Sequence, residues 1–152
     1  MTVLVRAFLP CDADVVAALV QRCLREVNSR DYSSMIIDKM CAHFRPDRFN
    51  VLAESRDIYV AAEQTGVVGT VSRDGNKVFT MFVDPDVAGT GIGRALMEHI
   101  EVLAAGEGHG HMETGASITG HDFYLRLGYT DVRESETDFG FNWIMHKPLS
   151  AL

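Results

Sequence analysis

The run Val83-Asp84-Pro85-Asp86-Val87-Ala88-Gly89-Thr90-Gly91-Ile92-Gly93-Arg94-Ala95-Leu96 constrains the fold more than any other part of the chain, because it reads as a strand end, a glycine-rich loop and a helix start in one unit. Three glycines within five residues let the main chain approach a ligand without Cβ obstruction. The helix that follows aims unpaired N–H groups and its positive dipole end at whatever sits over the loop. Such a unit reads as a cradle for a pyrophosphate.

Spacing separates the phosphate loops that compete for this segment. A Walker-type loop ends in Gly-Lys-Ser/Thr, whereas Gly93 is followed by Arg94 and Ala95. A dinucleotide fingerprint puts Gly-x-Gly-x-x-Gly directly after a strand. Counted from Gly89 and Gly91, its third glycine falls on Arg94, and residues 84–88 part the strand from the first glycine. Neither pattern is met.

Apolar periodicity supplies the context. Residues 3–8 predict a first strand. Asp12 or Asp14 then caps a helix whose Val16, Leu19, Val20, Cys23, Leu24 and Val27 recur at three and four, giving one buried face. After a polar loop at 28–32, a second helix starts near Ser33, turns Ile36, Ile37, Met40 and Phe44 inward, and stops before Pro46. Residues 58–63, 67–72 and 77–83 read as three successive antiparallel strands, joined by Gln64-Thr65-Gly66 and Asp74-Gly75-Asn76. The glycine loop opens a helix with Ile92, Leu96, Ile100 and Leu103 inward and Glu98 and Glu101 outward, ended by Gly106-Glu107-Gly108. A fifth strand at 112–117, a short helix at 120–127 closed by Gly128, and a hairpin of 129–134 with 139–146 complete the order.

A chain of 152 residues fits one domain, expected over 1–152, and at this length folding buries roughly 68–70% of the unfolded surface. The three cysteines, Cys11, Cys23 and Cys41, are odd in number and far apart, which argues against a disulfide framework or a zinc site. His109 and His111 lack an evident third ligand, so no metal is expected. No apolar run approaches membrane length, and Arg6 interrupts the opening where a signal peptide is apolar, so the expectation is a cytoplasmic protein without a membrane partner. The net charge is −7: residues 1–76 hold nine Lys/Arg against ten Asp/Glu, and residues 77–152 hold five against eleven. That balance disfavours nucleic acid and anionic membrane and mildly attracts a cationic amine.

The loop Ala88-Gly89-Thr90-Gly91-Ile92-Gly93 resembles the acyl-CoA loop of the GNAT superfamily of N-acetyltransferases, usually Gln/Arg-x-x-Gly-x-Gly/Ala, with five of six positions compatible and Ala88 lacking the long polar side chain. Phe123-Tyr124-Leu125-Arg126-Leu127-Gly128-Tyr129 resembles the family's F-Y-x-x-x-G-F/Y segment, 35 residues downstream. The element order is similar to that of the family over nearly the whole chain. The resemblance implies an α/β fold with a mixed, mostly antiparallel twisted sheet flanked by helices. It implies an acetyl-CoA-dependent transferase moving an acetyl group to a primary amine in a ternary complex, the amine being a small molecule or peptide and the protein a monomer or homodimer.

The resemblance also distributes roles. It places pantetheine pairing on the main chain of Met81, Phe82 and Val83, and pyrophosphate binding on the amides of Ala88, Gly89, Gly91, Gly93 and Arg94 around Ile92, with the Thr90 hydroxyl as an added donor. The Arg94 side chain is either part of that site or a solvated helix residue. Tyr124 aligns with the tyrosine that returns a proton to the departing thiolate, Phe123 packs beside it, and Ser117 stands where a polar residue contacts pantetheine. The strand at 77–83 has no glutamate to serve as base, which leaves His43, Glu63, Asp84 and His146 as candidates. Tyr32, Phe139, Phe141 and Trp143 fall where the family selects its acceptor. The alternative from another class is a domain that binds acyl-CoA without transferring from it.

Overall fold

The computed structural model describes residues 3–150. In chain order the elements are β1 (Leu4–Ala7), α1 (Ala13–Glu26), α2 (Ser34–His43), α3 (Pro46–Leu52), β2 (Asp57–Glu63), β3 (Gly66–Asp74), β4 (Lys77–Val83), α4 (Ile92–Gly106), β5 (His111–Ser117), α5 (His121–Arg126), β6 (Thr130–Thr137) and β7 (Gly140–Pro148). The strands form one sheet of order β1-β2-β3-β4-β5-β7-β6. Every neighbouring pair is antiparallel except β4 with β5, which are parallel because α4 carries the chain back to the starting edge. This is the mixed, mostly antiparallel sheet flanked by helices that the element order implies.

Side-chain alternation along the strands builds a core on each face. On one face Leu96, Met97, Ile100 and Ala104 of α4 pack with Val71, Val78, Met112, Ala116 and Met145 of the sheet and with Tyr124 of α5. On the other, Val16, Val20 and Leu24 of α1, Ile37 and Met40 of α2, and Phe49 and Leu52 of α3 cover Ile58 and Val60. Helix α2 begins where Ser33 caps it, its hydroxyl accepting from the Ile36 amide.

Three local expectations are corrected. Residues 46–52, left without an element by the sequence, form α3; Pro46 at its first turn, Asp47 behind it and Phe49 and Leu52 three apart are the signals that mark it. Asp12 stands at the N-cap of α1 but does not cap it. Its carboxylate instead takes two hydrogen bonds from Arg6, at 2.8 and 3.0 Å, and one from the Leu9 amide. The Arg6 guanidinium thereby holds Asp12 below the usual carboxylate range. Glu101 points inward rather than outward: it is buried and accepts from the Tyr129 hydroxyl and the Lys147 ammonium, each at 2.8 Å. Helical spacing reports only the face of α4, whereas the two partners arrive from the start of β6 and from β7.

That carboxylate ties α4 to the C-terminal strands. Lys147→Met keeps the aliphatic stem and leaves Glu101 with the tyrosine hydroxyl alone, and Lys147 is itself partly solvated. The expected loss is about 2 kcal/mol, toward the lower end for a broken buried pair. A urea-denaturation midpoint measures it, and an unchanged midpoint refutes the tie.

Candidate active site

The parallel pair β4–β5 is in register at only two positions, Lys77 with Glu113 and Val78 with Thr114. Beyond them β5 keeps only β7, which pairs with its other edge over its whole length, and the inner edges of residues 79–83 and 115–117 face each other unpaired across a V-shaped gap. The cause is local. Between Thr70 and Ser72 of β3, strand β4 carries one residue too many, and Thr80 takes up the bulge at φ 48°. A bulge bends its strand, and a β-branched residue in the left-handed region stores about 1–3 kcal/mol of strain, a pattern that concentrates at functional sites.

The glycine loop lies at the open end. Its entry is anchored by α1: Arg22 bonds Asp84 at 2.9 Å, Asp86 at 3.0 Å and Glu26 at 2.8 Å, and the Cys23 thiol donates to the Val83 carbonyl at 3.2 Å. Gly89 and Gly91 hold φ of 79° and 90°, with open space where a Cβ would stand. From Gly89 to Arg94 the amides meet no acceptor among the described residues; the α4 ladder begins with the Ala95 amide on Gly91. Gly93 serves otherwise: a Cβ there would stand 2.8 Å from the Phe123 ring, so its absence lets α5 close on α4. The Ala88 amide already donates to Pro85 at 3.4 Å and the Thr90 hydroxyl to Val87 at 2.6 Å, which removes both from the expected donor set. These two turns shape the loop that presents the other amides. Ile92 is buried in the core, and Arg94 reaches out to Glu98 at 3.9 Å, both side chains exposed.

Met81 and Val83 send their side chains to the α4 core and Phe82 to the α1–α3 core. The main chain of Phe82 pairs with Thr70 of β3, so Met81 and Val83 are the two that turn main-chain groups to the gap, the Val83 carbonyl being the one already held by Cys23. Tyr124 is buried, with its ring edge-on to Phe123 and Tyr129. Its hydroxyl is turned toward the side chain of Thr114, the last β5 residue paired with β4, near the apex of the V on the α4 face. Loss of solvent pushes the phenol up to about 12, the neighbouring Thr114 offsetting a little. Ser117 is turned inward on its own loop, accepting from the Gly120 amide at 2.9 Å.

The opposite face of the gap is walled by α2 and the β6–β7 turn. Tyr32 straps the two sides: its hydroxyl donates to the Phe141 carbonyl at 2.8 Å and accepts from the Ile118 amide at 2.9 Å. Phe139 packs against His43, with ring centres 5.1 Å apart. Trp143 lies on the α5 side instead, stacked 4.0 Å from His121 and edge-on to Phe141. Of the four candidate bases, Asp84 is committed to Arg22, His146 to Glu113 at the closed end of the strand pair, and Glu63 stands on β2, two strands from the gap. His43 remains on the open face, where burial, with Arg48 and Arg56 adding to it, holds the imidazole below its ordinary range. Asn142, which the sequence did not single out, lies cross-strand from Ser117 and close over Gly115, its Oδ1 buried without a partner among the described residues.

Two surface hollows, about 310 Å³ beside Val5 and His99 and about 180 Å³ beside Phe8 and Arg56, lie off this gap. A cleft between strands that opens on both faces forms no enclosed cavity, so the unpaired strand edges locate the site better than volume does. Among the described residues, no helix is long and apolar enough to cross a membrane.

Comparison with known proteins agrees with this geometry. A family model described as an acetyltransferase (GNAT) domain matches residues 23–151. The peptidyl-lysine N-acetyltransferase YjaB of Salmonella typhimurium is 36% identical over 76 residues, which is half of this chain and about half the length of that relative. The crystal structure of a GCN5-related N-acetyltransferase from Rhodopseudomonas palustris superposes with a TM-score of 0.90 at 24% identity, covering 98% of this chain and 97% of that one. The PaiA N-acetyltransferase of Thermoplasma acidophilum, solved in complex with coenzyme A, superposes at 0.82 with 17% identity, over 97% and 99% of the two chains. A match over most of the chain, together with the split parallel pair and the amide cradle, places this protein in the GNAT family of acetyltransferases.

Proposed function

We propose that the protein is an acetyl-CoA-dependent N-acetyltransferase that moves the acetyl group directly to a primary amine held in the same gap. The observation that carries the reading is the conjunction of free amides at Gly89–Arg94 with an unpaired β4 edge. The first suits a pyrophosphate and the second an extended chain of amides, the two parts of CoA that need main-chain partners. The PaiA relative was solved with coenzyme A, and lysine peptides, named for the YjaB relative, are one acceptor class.

The thioester supplies an activated acetyl group; the chain's residues place it and manage protons. Main-chain N–H groups of Met81 and Val83 offer donors to a carbonyl oxygen as negative charge develops. The neutral amine nitrogen forms the C–N bond, the C–S bond breaks, Tyr124 gives its phenolic proton to the sulfur, and the proton shed by the amine passes to solvent in the open gap, from which the phenolate is reprotonated. Burial keeps that phenol protonated at every working pH. Burial raises a thiol above its reference of about 8.5 in the same direction, so donor and acceptor shift together.

Tyr124→Phe keeps the ring and removes the proton. It should lower kcat roughly 10–100-fold with the KM for acetyl-CoA nearly unchanged; unaltered turnover, where chemistry limits the rate, removes the assignment. Gly91→Val forces a β-branched residue into φ 90° and should weaken acetyl-CoA binding by about tenfold or more, about 1.4 kcal/mol, in a calorimetric titration. Normal affinity in a folded variant refutes the cradle. Binding of acetyl-CoA without thiol release on any amine would identify an acyl-CoA-binding domain instead.

A further inference from the structure

The phosphate cradle and Tyr124 lie on the α4 face of the gap, so an acceptor attacking a donor held there enters from the α1–α3 face. On that face the first β4 residue beyond the last β4–β5 pair is Phe79, and the Arg56 guanidinium stacks on its ring, 3.8 Å from the centroid. Four described arginines are not fully exposed: Arg6, Arg22, Arg56 and Arg73. Arg6 sits on Asp12, Arg22 on three carboxylates, and Arg73 on Asp57 and Glu107. Arg56 alone among them has no carboxylate within contact among the described residues.

A guanidinium taken partly out of water with no counter-ion is costly, and the rest of this chain avoids the arrangement. Asp74 acts on Arg56 only from beyond contact distance, while Arg48 adds a second positive charge nearby. His43, the basic side chain on the same face, feels both arginines. A planar fork of donors held over an aromatic ring matches a carboxylate in shape as well as in sign.

From this we propose that the acceptor is an amine that also carries a carboxylate, an amino acid or a compound of that class, and that Arg56 receives the carboxylate and so orients the amine toward the gap. The inference rests on the transferase reading above for the amine's role, and on the chain's own unpaired arginine for the carboxylate.

The test uses the full chain with acetyl-CoA and a panel of free amino acids, each paired with its own carboxamide. Amidation makes the neighbouring amine less basic and hence more available as a nucleophile, so without a carboxylate site the amides are the better acceptors. The expected result is a kcat/KM about tenfold or more higher for the acids. Arg56→Gln should bring the acids down to the level of the amides with the KM for acetyl-CoA unchanged, and Arg56→Lys should restore part of the preference. Amides used as well as acids, or an Arg56→Gln variant that lowers both alike, overturns the proposal. Direct calorimetric titration with the acids separates this from the transferase reading. Arg56-dependent binding of acids with no thiol release on any amine supports the site and sinks the transferase, whereas thiol release with acids and amides binding alike sinks the site alone.

Discussion

Strands β4 and β5 part after two paired residues, and the functional architecture follows from that. A parallel pair closed along its length would satisfy the inner edge of β4 and leave no place for an extended ligand. Here the bulge at Thr80 bends β4 away while β5 continues along β7, so β4 keeps main-chain groups of alternate residues beyond Val78 free on one side. Free main-chain donors and acceptors demand partners, and only water or a ligand can supply them in an open gap. The opening persists because the α4–α5 core spans it on one face and the Tyr32 strap bridges it on the other.

Charge is arranged around the gap with the same economy. Asp84 and Asp86 stand just ahead of a loop suited to an anion, where two bare carboxylates would repel it; Arg22 pairs with both, offsetting part of their charge, and fixes the loop's entry to α1. Helix α4 then presents its N-terminal amides and dipole to a phosphate against a weaker opposing field. On the far side Arg48 and Arg56 gather positive charge within an otherwise acidic protein of net charge −7, which makes the two mouths of the gap electrostatically distinct from the surface around them.

Much of this was legible in the residues. The amphipathic stripe of α1, the Ser33 cap of α2, the turn at Asp74-Gly75-Asn76 and the glycine loop all express local rules, and the structure follows them. Gly89 and Gly91 could be assigned to the loop because positive φ is a property of one residue. A further role of Gly93 could not be read on those terms: it makes room for Phe123, thirty residues away. The inward turn of Glu101, the pairing of Asp12 with Arg6 rather than with its own helix, and the commitment of Ser117 and Thr90 to their own loops are likewise choices among partners, and spacing along a chain does not choose partners.

What the sequence by itself determined is the order of elements, the position of an anion loop at a strand-to-helix junction, and the two motifs that mark the family. Each is encoded locally, in hydrophobic period and glycine placement. Only the tertiary structure decided where β4 and β5 separate, that Tyr124 lies near the apex of that separation, that the Tyr32 hydroxyl straps the β5 and β7 ends together, and that Arg56 alone of the partly or fully buried arginines described lacks a carboxylate. Those outcomes depend on which surfaces meet across the sheet, and long-range packing settles them through burial and hydrogen-bond satisfaction rather than through any rule of sequence spacing.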